Sequence, residues 1–136
     1  MAAGNFVKWK LPALLWCLII MILTSYPKLT VPGNTFNFMD KMAHLFLYFI
    51  LALLVKRALV KDGNKVKSDD VRKTIYYTGG FAVFDELHQV PIPGRSGEVF
   101  DVIADLLGIL LAIVVFPLLL KISYRNQQAR KTRGDM

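Results

Sequence analysis

Eleven polar side chains of this 136-residue sequence fall within or beside runs otherwise built of Leu, Ile, Val, Phe and Ala. They are Asp40, Lys41, His44, Asp85, Glu86, His88, Gln89, Arg95, Glu98, Asp101 and Asp105, and they include both histidines and six of the ten acids. Histidine titrates near neutral pH and a carboxylate can fix its tautomer. His88 with Asp85, one helical turn apart and beside Glu86, therefore reads as a general acid/base group. The alternative is a hydrogen-bonded pair that orders the fold. Arg95 can hold a phosphate or carboxylate bidentately, or pair internally with Glu98 or Asp101. His44 and His88 with two or three of Asp85, Glu86, Asp101 and Asp105 offer a mixed nitrogen and oxygen shell for a metal. The spacing matches no motif of the HExxH kind, so metal and cofactor stay open. Cys17 is the sole cysteine. It lies in an apolar run, so an internal disulfide and a CxxC site are excluded. No Ser or Cys nucleophile is evident, which leaves water or a substrate hydroxyl to attack in any transfer reaction.

Helical spacing says which of these groups can meet. Asp40, His44 and Tyr48 follow at i, i+4, i+8; Asp85 shares a face with His88, and Glu86 with Gln89. Asp101, Asp105, Gly108 and Ala112 form a stripe of two acids followed by two small residues. Between them, Pro91-Ile92-Pro93-Gly94 stops one helix and favours a turn, and Ser96 or Glu98 can cap the next. Asp40 itself suits a helix N-cap.

The elements that position these groups are apolar blocks. The chain is 54% hydrophobic and 20% charged, with mean hydropathy +0.43, too apolar for a water-soluble domain of 15.4 kDa. Disorder, a coiled coil and a collagen repeat are excluded by the same composition. Four blocks, Leu11–Thr24, Met42–Val60, Thr74–Val90 and Val102–Ile122, predict an all-α integral membrane protein, a bundle of four transmembrane helices. For the first block a cleaved signal peptide competes, but Thr24-Ser25-Tyr26-Pro27 supplies no A-x-A site. Lys56 and Arg57 are expected to carry their charges to the interface. Gly79-Gly80 is expected to let helices approach, and Pro117 to bend the last span.

Of the seventeen lysines and arginines, fourteen fall on the side of the N-terminus, the second loop and the C-terminal tail. Lys28, Lys41 and Arg95 fall on the other. The positive-inside rule then places both termini in the cytoplasm, in a multi-pass protein of the inner (cytoplasmic) membrane. Basic residues beside span ends attract anionic headgroups, so a pI of 9.7 does not point to nucleic acid. The division is residues 1–124 as the membrane domain and 125–136 as a basic, mobile cytoplasmic tail.

Asp40-Lys41-Met42-Ala43-His44 with Tyr48 resembles the D-K-x-x-H-x-x-x-Y opening of the VanZ-like membrane protein family. Asp85-Glu86-Leu87-His88-Gln89, then Pro91, Arg95, Asp101 and Gly108, is similar to that family's D-E-x-H-Q…P-x-R…D…G signature; Asp105 stands where an Asn is usual. The resemblance spans 40–112. It implies a small membrane protein acting at the outer face, in a family associated with low-level teicoplanin resistance. Two expectations follow. Either Asp40, His44, Gln89, Arg95, Asp101 and Asp105 engage a cell-envelope precursor or anionic lipid headgroup, or His88, Asp85 and Glu86 form an acid/base hydrolase or transferase acting on a lipid-linked substrate.

Overall fold

The computed structural model describes residues 2–27, 38–60, 66–95 and 97–134. Among them every regular element is an α-helix: α1 Ala2–Trp9, α2 Leu11–Thr24, α3 Phe38–Val60, α4 Ser68–Gln89 and α5 Val99–Gly134. Lys28, Lys61, Lys65 and Ser96, used above for orientation and capping, lie outside the described residues.

Two helices are long and apolar enough to cross a membrane by length and composition, Phe38–Val60 and the Val99–Arg130 part of α5. The other two expected spans are weaker. α2 has 14 residues, and a helix of that length rises about 21 Å against a hydrocarbon core of about 30 Å. α4 is long enough at 22 residues, but it begins with Ser68, Asp69, Asp70, Arg72 and Lys73. α1 was not expected as a helix. It ends against α2 at Lys10, with Pro12 accommodated in the first turn of α2. Its Trp9 ring lies 5.1 Å from the Arg57 guanidinium, joining the basic ends of α1 and α3.

α3 and α5 make the most extensive helix contact, followed by α3 with α4 and α4 with α5. Their shared core is Ile20, Tyr48, Leu51, Ala52, Ala82, Ile109 and Ala112. The alanines let backbones approach, and Gly108 takes this further. A Cβ there would sit 2.2 Å from the Leu45 carbonyl oxygen. The Gly79-Gly80 pair, expected to serve such an approach, does not: a Cβ on Gly79 would meet only Leu106 at 3.9 Å, and one on Gly80 nothing within 4 Å. α4 runs through the pair without a break.

Pro117 lies inside α5. It has no N–H to offer the Ile113 carbonyl four residues earlier. Lys56 supplies the missing donor, its Nζ lying 3.1 Å from Ile113 O and 5.4 Å from the Phe116 ring centroid. The expectation that Lys56 reaches out to the interface is therefore corrected: the residue is 1% exposed. The unpaired carbonyl in α5 gives the ammonium a partner inside the bundle. α5 continues as helix through Gly134, into the segment read as the C-terminal tail.

Candidate functional site

The chain reverses direction between α3 and α4 and again between α4 and α5. The C-terminal ends of α2 and α4 thus lie with the N-terminal ends of α3 and α5. At the α4–α5 turn, the Ile92 and Arg95 N–H groups donate to Gln89 O and Ile92 O, and Gly94 takes the positive φ of 77° that the Pro93-Gly94 turn requires. Two hydrogen-bonded sets of buried polar groups occupy this end of the bundle.

The first set is centred on Asp85, which has no solvent exposure. Thr24 Oγ1 donates to Asp85 Oδ1 at 2.7 Å, while Tyr48 Oη and Gln89 Nε2 each reach Oδ2 at 3.3 Å. One carboxylate thus ties α2 and α3 to α4. Arg95 extends the set: Nη1 donates to Gln89 Oε1 at 2.7 Å, Nε to Tyr26 O at 3.0 Å and Nη2 to Leu23 O at 3.2 Å. Its guanidinium caps the last carbonyls of α2, where positive charge is favoured. The expected pairing of Arg95 with Glu98 or Asp101 is not made.

The second set joins α3 to α5. His44 Nδ1 lies 3.0 Å from Asp105 Oδ1, with both residues buried. Lys41 Nζ bonds Glu98 and stands 2.6 Å from Asp101 Oδ1, an ion pair without hydrogen-bond alignment. Glu86 Oε1 accepts the Glu98 backbone N–H, which links α4 to the start of α5. Asp101 N donates to Glu98 O, so Glu98 opens α5 as its cap residue and Asp101 sits in the first turn. Asp40, His44 and Asp101 each offer a ligand atom, and the three atoms lie within 4.8 Å of one another.

The pairing differs from the one read in the sequence. His88 and Asp85 share a face of α4, but Asp85 is bonded to Thr24, Tyr48 and Gln89. His88 is half-buried, and its Nδ1 is a buried atom without a hydrogen-bond partner. The histidine–carboxylate pair that does form is His44 with Asp105, across helices. Asp40, His44, Asp101, Asp105 and Glu86 come together, and Gln89, Arg95 and Asp85 form the adjoining set. Thr24 was not singled out in the sequence, where it only ends an apolar run; Lys41 and Glu98 stood among the eleven polar side chains, Lys41 within the D-K-x-x-H pattern, but were given no ligand or catalytic role.

An all-helical bundle with two membrane-length apolar helices and a buried acid-rich cluster at one end defines the class. The comparisons identify the family: the VanZ/LLP1 family model matches residues 9–120, so the chain belongs to that family. It is also similar to the Schizosaccharomyces pombe protein C11E3.10, described as uncharacterized, with 31% identity over 121 residues. That alignment takes in 85% of this chain and 66% of the yeast protein, so the chain spans just under two thirds of its relative's length. No solved structure matches.

Proposed function

We propose that this is a four-span membrane protein, with both termini cytoplasmic, whose acid-rich helix ends bind the anionic headgroup of a lipid or lipid-linked cell-envelope precursor at the outer face. The observation that carries the reading is the burial of Asp85, Asp101 and Asp105 together with His44 at the ends of apolar helices. In a membrane such groups cost roughly 2.5–3.5 kcal/mol each at a helix centre, a cost few scaffolds retain without a ligand or pathway to serve. A proton or ion conduit is the weaker reading. The described cytoplasmic halves offer Thr74 and Thr78, whose hydroxyls are occupied by their own helix carbonyls, and Lys56.

The test is native mass spectrometry of the full chain released from lipid nanodiscs. An anionic lipid or lipid-linked phosphate is expected to remain bound to the wild type and to be lost from Arg95→Gln, which removes the guanidinium that can hold it. Equal retention of zwitterionic and anionic lipids by both proteins would refute the headgroup reading. Raised teicoplanin tolerance on expression in a bacterial host, lost in the same variant, is the cellular counterpart. A second reading, an acid/base hydrolase or transferase acting on the bound lipid, is favoured by one observation: the unpartnered Nδ1 of half-buried His88. His88→Gln should then abolish turnover or tolerance while retaining bound lipid and melting temperature.

A further inference from the structure

Among the described residues of the second polar set, Asp40, Glu86, Glu98, Asp101 and Asp105 gather about Lys41 and His44, five acids to two bases. Three carboxylate oxygens among the described residues, Glu86 Oε2, Asp101 Oδ1 and Asp105 Oδ2, are buried without a hydrogen-bond partner, on residues that are 8%, 2% and 0% exposed. Buried acceptors of this kind call for a proton or a cation.

We propose that Asp40, His44 and Asp101 hold a divalent metal ion of the zinc or manganese class. For three ligand atoms within 4.8 Å of one another, an acute arrangement puts a common centre at most about 2.8 Å from each. Tightening by well under 1 Å reaches the 2.0–2.2 Å of Zn–N and Zn–O bonds. The histidine suits the role: with Asp105 ionised, its contact with Nδ1 makes Nδ1 the protonated nitrogen and leaves Nε2 with the lone pair, the carboxylate–histidine–metal arrangement of many metal sites. One imidazole and two carboxylates favour Zn²⁺ or Mn²⁺ over Ca²⁺, which prefers an all-oxygen shell. Lys41, held by Glu98 as well as Asp101, can keep the first partner while the ion takes the second.

The ion also answers a difficulty in the headgroup reading. A cluster of carboxylates repels a phosphate, and three of the five N–H donors of Arg95 are already bonded within the protein. A metal with three protein ligands keeps open positions that a phosphate oxygen can fill. This bridging role rests on the headgroup reading; the site itself does not.

The test uses the full chain in detergent, stripped with chelator and titrated with Mn²⁺ under electron paramagnetic resonance, with Zn²⁺ as competitor. One saturable Mn²⁺ per chain is expected, with nitrogen modulation from His44 in the pulsed spectrum. His44→Gln should remove that modulation, and Asp40→Asn should weaken binding if the histidine variant does not fold. Asp105→Asn should keep the stoichiometry and weaken binding about 10- to 100-fold. Asp69→Asn, an exposed carboxylate at the opposite end of α4, should change nothing. Absence of saturable binding, or binding that survives His44→Gln and Asp40→Asn unchanged, overturns the site. Lipid retention with and without chelator separates the two proposals. Anionic lipid held equally in both conditions overturns the bridging role and leaves the headgroup reading standing. Mn²⁺ bound with nitrogen modulation but no anionic lipid retained overturns the headgroup reading and the bridging role with it, and leaves the metal site standing.

Discussion

Replacing Gly108 with alanine tests how closely the packing of α3 on α5 is coupled to the polar site. The new Cβ would lie 2.2 Å from Leu45 O and 3.0 Å from Phe49 N, both backbone atoms with no rotamer to yield. Ordinary contact begins at 3.4 Å, so the helices must separate locally by about 1.2 Å. Leu45 follows His44 directly, and Asp105 lies one turn before Gly108. The same displacement stretches the 3.0 Å His44–Asp105 contact to about 4 Å, beyond hydrogen-bonding range. Overpacking strain costs about 1–3 kcal/mol, and a buried bond to a charged group contributes about 1.5–3. Gly108→Ala is therefore expected to lose about 2.5–6 kcal/mol. Reversible unfolding in mixed micelles measures it, and a double-mutant cycle with Asp105→Asn tests the cause. Asp105→Asn should cost at least about 1 kcal/mol less in the Gly108→Ala background than alone. A Gly108→Ala protein as stable as wild type, or an Asp105→Asn cost equal in both backgrounds, refutes the coupling.

Lys56→Met should destabilise the fold by about 1–3 kcal/mol by leaving Ile113 O without a donor, and by less in a Pro117→Ala background, where residue 117 regains its N–H. An equal loss in both backgrounds, read by the same unfolding assay, would mean the lysine acts otherwise. Asp85→Asn exchanges an acceptor for a donor facing Thr24, and Thr24→Val removes the 2.7 Å bond. Each should lower the melting temperature, and together they should fall short of additivity; strict additivity argues that Asp85 does not bridge α2 and α4. Single cysteines at Gly97 and Asn126 should be labelled from outside and from the cytoplasm respectively, and the reverse pattern would falsify the orientation.

The C-terminal ends of α2, α3 and α4 were legible in the sequence because charged or proline-bearing flanks close those blocks, whereas α3, α4 and α5 begin before their apolar blocks and α5 runs on past Ile122. Pro91, Pro93 and Gly94 stop α4 where expected, and the polar residues gather at one end. Partner choice was not legible. Spacing along α4 says that Asp85 and His88 share a face, but not which neighbouring helix offers a better partner. Thr24 and Tyr48 reach Asp85 from α2 and α3, and Asp105 takes His44 from α5. Helix rotation about its own axis decides such pairs, and that is fixed by packing between helices. Lys56 failed for a related reason. A lysine near a span end ordinarily reaches for water, but a proline four residues beyond a facing carbonyl creates a competing acceptor 57 residues later in the chain. α1 lacks the block length that made the other helices visible.

The pairing of Lys56 with Ile113 bears on the order in which the protein is made. If α3 and α5 both span the bilayer, as proposed above, Ile113 has not yet been translated while α3 stands alone there, and the ammonium must seek the headgroups. It can turn inward only after α5 has inserted and packed. The lysine therefore marks the step from separately inserted helices to the assembled bundle. An amine-reactive probe should modify Lys56 in chains truncated before residue 113 and spare it in the full-length protein. Equal modification of both would show that assembly leaves the lysine where insertion put it.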